Sequence, residues 1–180
     1  VQQIRKADWI VLGTLIAVAA VGRYYRPEWN FTPLASVALF AGFYFRRIPL
    51  ALVAAWGALA ASNLLEPRHT GLLVAMAQYV CFALPALAGV LLARAHFRWP
   101  VWLAASAAPS LVFFIVTNFA VWITASEAGY SRDLAGLAEC YTLAIPFYRN
   151  MLAGDLFWSA ALFGTWAVAT RGTMVVATES

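Results

Sequence analysis

From Val101 to Ala125 the chain reads VWLAASAAPSLVFFIVTNFAVWITA, a run without Asp, Glu, Lys, Arg or His. A helix rises about 1.5 Å per residue, so this run can cross the ~30 Å hydrocarbon core of a bilayer. The whole chain matches it: 63% of the 180 residues are hydrophobic and 11% charged, with a mean hydropathy of +0.76. Soluble domains carry about 25% charged residues, so this sequence lacks the polar groups to cover a water-facing surface. A bilayer removes that demand.

Clusters of Pro, Arg and Asn divide the sequence into further apolar runs. The expected spans are residues 9–24, 32–45, 48–65, 71–93, 101–125 and 147–170. Pro33 and Pro49 suit first-turn positions, Pro85 should kink the fourth span, and Pro109 lies inside the fifth. The first run is followed by Arg23-Tyr24-Tyr25-Arg26 rather than a small-residue cleavage site, so it reads as a retained helix. The expected fold is an all-α membrane protein in which residues 1–180 form one six-transmembrane-helix bundle.

Orientation follows from the cations. With six spans, Arg5, Lys6, Arg46, Arg47, Arg94, Arg98 and Arg171 share one side, and Arg23, Arg26, Arg68, Arg132 and Arg149 the other. The positive-inside rule then puts both termini in the cytoplasm. Basic pairs at span ends read as headgroup anchors, and they form no nucleic-acid patch. Trp9, Trp29, Trp99, Trp102 and Trp166 read as an interfacial belt.

The connections differ more in chemistry than in charge. Those assigned to the cytoplasm are short and basic. The outward ones are mixed: residues 23–30, residues 63–70, and a long fifth loop expected over 126–146 with Glu127, Tyr130, Arg132, Asp133, Glu139, Cys140 and Tyr141. A face that binds something collects such variety. Trp29, Trp122, Tyr130, Tyr141 and Tyr148 fall toward that face, either as belt residues or as the lining of a pocket for a flat, partly apolar ligand. Small residues four apart, Gly13 and Ala17 followed by Ala20, and Ala54, Ala58 and Ser62, make close-packing seams, within the bundle or against another membrane protein.

Chemistry-bearing groups are few. Asp155 is the acidic residue well inside an apolar run. It should be neutral, paired or turned to a cavity, and Arg149 is its candidate partner. Thr117 and Asn118 suit interhelical hydrogen bonds. Cys81, after Gln78 and Tyr79, packs as a small hydrophobe or serves as a soft ligand to a metal carried by a substrate. Cys140 with Tyr141 poses the same choice. His69 and His96 lie on opposite sides and cannot share a metal. No HExxH, CxxC, Walker loop, dinucleotide turn or nucleophilic triad occurs, so neither ATP hydrolysis nor a recognised enzyme class is indicated.

A resemblance rests on Asn30-Phe31-Thr32-Pro33-Leu34-Ala35 with Leu39-Phe40-Ala41-Gly42, and on Gly136-Leu137-Ala138-Glu139-Cys140-Tyr141 leading to Pro146-Phe147, Asn150 and Gly154-Asp155-Leu156. These stretches, and six short helices, resemble the substrate-binding S components of ECF-type vitamin transporters and an uncharacterised bacterial membrane family associated with them. The resemblance implies a multi-pass protein of the bacterial inner membrane that captures a vitamin or other small molecule under loops one, three and five. It also implies either docking on an energising module through small residues such as Gly13, Ala17 and Ala20, or solitary action. Its ligand-binding residues would come from Asn30, Trp29, Arg68, His69, Tyr79, Cys81, Cys140, Tyr141, Arg149 and Asp155. In solitary cobalamin-type members a cysteine meets the corrin cobalt. Cys81 corresponds by position along the chain, which makes cobalamin the expected bound substrate and removal of its upper ligand a side reaction. The other readings are an accessory subunit of a larger membrane complex and a membrane enzyme using Asp155, Arg149 and His69.

Overall fold

The computed structural model describes residues 4–67, 71–96, 98–124 and 129–178, with side chains as far as Thr170. They form six helices: α1 (Lys6–Tyr24), α2 (Leu34–Phe45), α3 (Ile48–Leu65), α4 (Leu72–Leu92), α5 (Trp99–Thr124) and α6 (Leu134–Thr178), with no strand among the described residues. All but α2 are long and apolar enough to cross a membrane, the mark of a membrane-embedded multi-pass protein. Large apolar side chains point outward along the bundle, among them Ile10, Leu72, Leu91 and Val168. In lipid this exposure costs nothing, because the surroundings are as apolar as the side chains.

The centre of the bundle is α2, the shortest helix. It has no charged residue, and every residue from Leu34 to Gly42 is buried, as is Phe45. It touches all five other helices. Its small side chains let neighbours approach, and the tightest approach is to α4. A Cβ at Gly42 would run into the Ala86 carbonyl oxygen, and one at Gly89 into the Leu39 carbonyl oxygen. Each glycine therefore receives the other helix's backbone. On α3 the seam of Ala51, Ala54, Ala55, Ala58 and Ser62 is buried as well. The α1 seam divides: Ala20 is buried, but Gly13 and Ala17 face outward.

The last helix departs from the expectation. The anticipated long fifth loop is short, because α6 begins at Leu134 and carries Glu139, Cys140, Tyr141 and Pro146 within it. Pro146 reads as a boundary in sequence, since proline removes an N–H and disfavours helix before it. In a membrane bundle, neighbours and local adjustment compensate for the loss. Asp133 starts the helix: its carboxylate accepts the Gly136 N–H at 2.8 Å and the Ser131 hydroxyl at 2.7 Å. These bonds hold its carboxyl below the usual aspartate range, the Gly136 N–H contributing most.

Candidate functional site

The connection between α1 and α2 and the adjoining helix ends are clasped by charge. Arg23, in the last turn of α1, is 7% exposed. Its guanidinium donates to Ser62 Oγ at 2.7 Å and to Asn63 Oδ1 at 2.8 Å on α3, and its Nε lies 3.8 Å from Glu66. Arg26 donates to both Glu66 oxygens, at 2.6 and 2.7 Å, and to the Arg23 carbonyl, and its guanidinium stacks 4.6 Å over the Trp29 ring. A bidentate arginine–carboxylate pair fixes geometry as well as charge.

Beneath this clasp lies a cavity of about 240 Å³. All six helices and the α1–α2 connection contribute to its wall: Arg23, Asn30, Gln78 and Thr117 supply polar groups, and Phe82 and Phe113 apolar surface. Asn30 sits at φ 64°, a left-handed conformation that asparagine tolerates better than most residues. A side space of about 100 Å³ opens between α5 and α6, bordered by Asn30, Phe114, Asn118, Phe147 and Tyr148. Here α6 parts from α5. Cys140 Sγ donates to the Asn118 carbonyl and Ser110 meets Asp155, so fifteen residues of α6 run opposite eight of α5. Pro146 lies within that longer path.

Deeper in the bundle a third space, of about 20 Å³, is bordered by Cys81, Ser110 and Asp155. Phe113 and Met151 border all three spaces, and Thr32 and Phe82 are, with them, common to the walls of the deep space and the main cavity. Asp155 is 3% exposed. Its carboxylate accepts a hydrogen bond from Ser110 Oγ, and its backbone carbonyl accepts one from Ser36 Oγ at 2.9 Å. Ser159 donates to Ser36 at 3.1 Å. Three helices, α2, α5 and α6, are thus pinned through Asp155 and three serines. Gly154 makes the approach possible: a Cβ there would lie 3.0 Å from the Thr32 nitrogen.

A family model described as a family of unknown function, DUF6580, matches residues 3–176. The chain belongs to the DUF6580 family. No curated protein and no solved structure matches it.

In this DUF6580 chain the candidate residues named from sequence occupy different places. Asn30, Cys81 and Asp155 border the adjoining spaces. Tyr79 instead packs against the main apolar core, and its carbonyl accepts the Trp56 indole N–H at 2.9 Å. Trp29 belongs to the clasp. Cys140 is buried against α5, and the Tyr141 hydroxyl donates to the Ile115 carbonyl at 2.7 Å. Arg149 is exposed on α6 and is not the partner of Asp155; that role falls to Ser110. Six residues along a helix turn about 240° past one another, which sends the two side chains to different faces. Arg68 and His69 lie outside the described residues.

Among the described residues, Thr117 and Asn118 make no side-chain bond between helices. Each donates to the carbonyl four residues earlier, at 2.7 Å, within α5. The outward aromatics do not converge either. Trp122 donates to the Ser131 carbonyl, whereas Tyr141 and Tyr148 gather on Phe114. Trp166, expected in the interfacial belt, packs edge-on against Phe40 and Tyr44. Sequence reading passed over Arg23, Gln78, Phe82, Ser110, Phe113 and Met151 as site residues. The available signal for Arg23 was its position, one residue before the end of an apolar helix.

Proposed function

We propose that this chain is a small-molecule-binding membrane protein, of the kind that captures a substrate for uptake. The observation that carries the reading is the set of three adjoining spaces, with Phe113 and Met151 in the walls of all three, beneath the Arg23–Arg26–Glu66 clasp. Ligand sites are concave, mostly apolar, and carry a few placed polar groups; volumes run from roughly 300 to 1,000 Å³. The main cavity, about 240 Å³, falls just below that range, and its side space adds about 100 Å³. They suit a compact ligand with an apolar body, and Asn30, Gln78 and Thr117 offer hydrogen bonds to orient it.

The same reading takes the bundle as six crossings of a bacterial inner membrane, with the short α2 as one of them. Both termini are then cytoplasmic, and the cavity opens outward. The support is the gathering of Arg5, Arg46, Arg47, Arg94 and Arg98 at the ends away from the clasp. A corrinoid ligand, with Cys81 on cobalt, would require the helices to part: the thiol borders only the deep 20 Å³ space, and the ring would need far more. A smaller ligand needs no such movement.

The test is mass spectrometry of small molecules extracted from the protein purified from its own membranes. The expected result is one compound at near-stoichiometric amount. A preparation that is folded, gently extracted and free of any retained compound overturns the proposal.

A further inference from the structure

We propose that Asp155 anchors a protonated amine of the ligand, so that the substrate class is a compact organic amine with an apolar or aromatic body. This rests on the small-molecule-binding reading above and names the chemistry of that same site.

The argument starts from an incomplete set of partners. An ionised carboxylate offers about four acceptor positions. Among the described residues, Ser110 Oγ is the one hydrogen-bond donor to that of Asp155, since Ser36 bonds the backbone carbonyl and Ser159 bonds Ser36. No Arg, Lys or His among the described residues borders the deep space. Arg23, the cation on the larger cavity, is bound to Ser62, Asn63 and Glu66. A carboxylate buried in a membrane bundle without a cation is costly, and such residues pair or mark substrate paths. A ligand ammonium supplies the missing charge and up to three donors.

The space beside the carboxylate fits that group. Its roughly 20 Å³ holds one water-sized group, the size of an ammonium head. Phe82 and Phe113, their ring centroids 5.4 Å apart, border this space and the cavity above it. Aromatic rings near a desolvated cation add attraction. Thr32, Phe82, Phe113 and Met151 line both the deep space and the main cavity, so the two adjoin, and the ligand's body lies in the main cavity. The ligand thus places its amine deep and its hydrogen-bonding acceptors toward the side-chain amides of Asn30 and Gln78.

The experiment compares phenethylamine hydrochloride with phenethyl alcohol, close in shape and differing in charge, on the detergent-purified full chain. Thermal unfolding and equilibrium binding are both read. The expected result is that the amine binds about tenfold or more tightly than the alcohol and raises Tm further. Asp155→Asn removes that preference. Ser110→Ala, which leaves the carboxylate in place, keeps it, and serves if the Asp155 variant does not fold. Equal affinities, no binding of either probe, or loss of the preference in Ser110→Ala overturns the proposal and assigns Asp155 to a helix-pinning role alone. The identity of the co-purifying compound separates the two readings. A retained compound without a protonatable nitrogen ends the amine assignment and leaves the binding function standing, whereas absence of any retained compound ends the binding function itself.

Discussion

Two crossings in the bundle show opposite solutions to packing helices in lipid. Where α2 meets α4, Gly42 and Gly89 bring backbone against backbone and leave no space. Where α5 meets α6, the contacts at Asn118–Cys140 and Ser110–Asp155 are separated by unequal lengths of helix, and the surplus on α6 opens a side space beside the main cavity. The first crossing is built from residues that do nothing but fit. The second contains serines, an aspartate, a proline and aromatic rings. Close packing and a ligand site demand different residues, and α4 carries both: Gly89 at the sealed crossing, and Gln78 and Phe82 on the cavity wall.

The sealed crossing should be the more fragile. Gly42→Val or Gly89→Val puts side-chain atoms where the facing carbonyl lies, and neither backbone can yield cheaply. The expected loss is about 3 kcal/mol or more, read as low yield of folded protein and a large fall in Tm in detergent. A variant that unfolds normally would show that the crossing is looser than its geometry implies.

Next in size is the clasp. Glu66→Ala removes the carboxylate that Arg26 holds with two bonds and that Arg23 approaches. Breaking a buried pair costs about 3–5 kcal/mol, and the partial exposure of Glu66 discounts this to about 1–3 kcal/mol. Thermal unfolding should show the loss, and raised salt should affect wild type more than the variant. Trp29→Ala, which removes the ring under Arg26 and leaves both ion pairs in place, should cost about 1 kcal/mol in the same assay.

The smallest effect concerns the start of α6. The Asp133 carboxyl titrates lower in the folded chain than in the unfolded one, because it accepts the Gly136 N–H and the Ser131 hydroxyl. Its contribution is therefore complete above the unfolded aspartate value of about 3.9 and fades as pH falls through the lower folded value. Asp133→Ala should lower Tm slightly near neutral pH, with the difference from wild type vanishing in acid. An unchanged difference in acid would mean that the cap acts through shape rather than charge.

The helices were largely legible because apolar length is a strong signal: five of the expected spans coincide with α1 to α5 to within a few residues. The error at α6 is physical. Pro146 looks like a boundary when local chemistry is read alone, and only the packing of α6 against α5 shows the helix running through it. The site was legible at its deepest residue, since a carboxylate inside an apolar run is conspicuous. Its partner was not: Ser110 lies forty-five positions away and carries no charge to announce itself. Arg23 was hidden for the opposite reason. An arginine at a helix end is so often an anchor that its burial against Ser62 and Asn63 leaves no mark in sequence. Phe113 and Met151 read as ordinary membrane residues, and only the fold makes them common to all three spaces.

That shared position makes Met151 the most direct probe of whether the spaces are a binding site. Native mass spectrometry of wild type and Met151→Trp, released from detergent under the same conditions, should show a small-molecule adduct on wild type and none on the variant, with the variant's Tm within a few degrees of wild type measured without ligand. An adduct of the same mass retained equally by both proteins would place the ligand elsewhere and contradict the account.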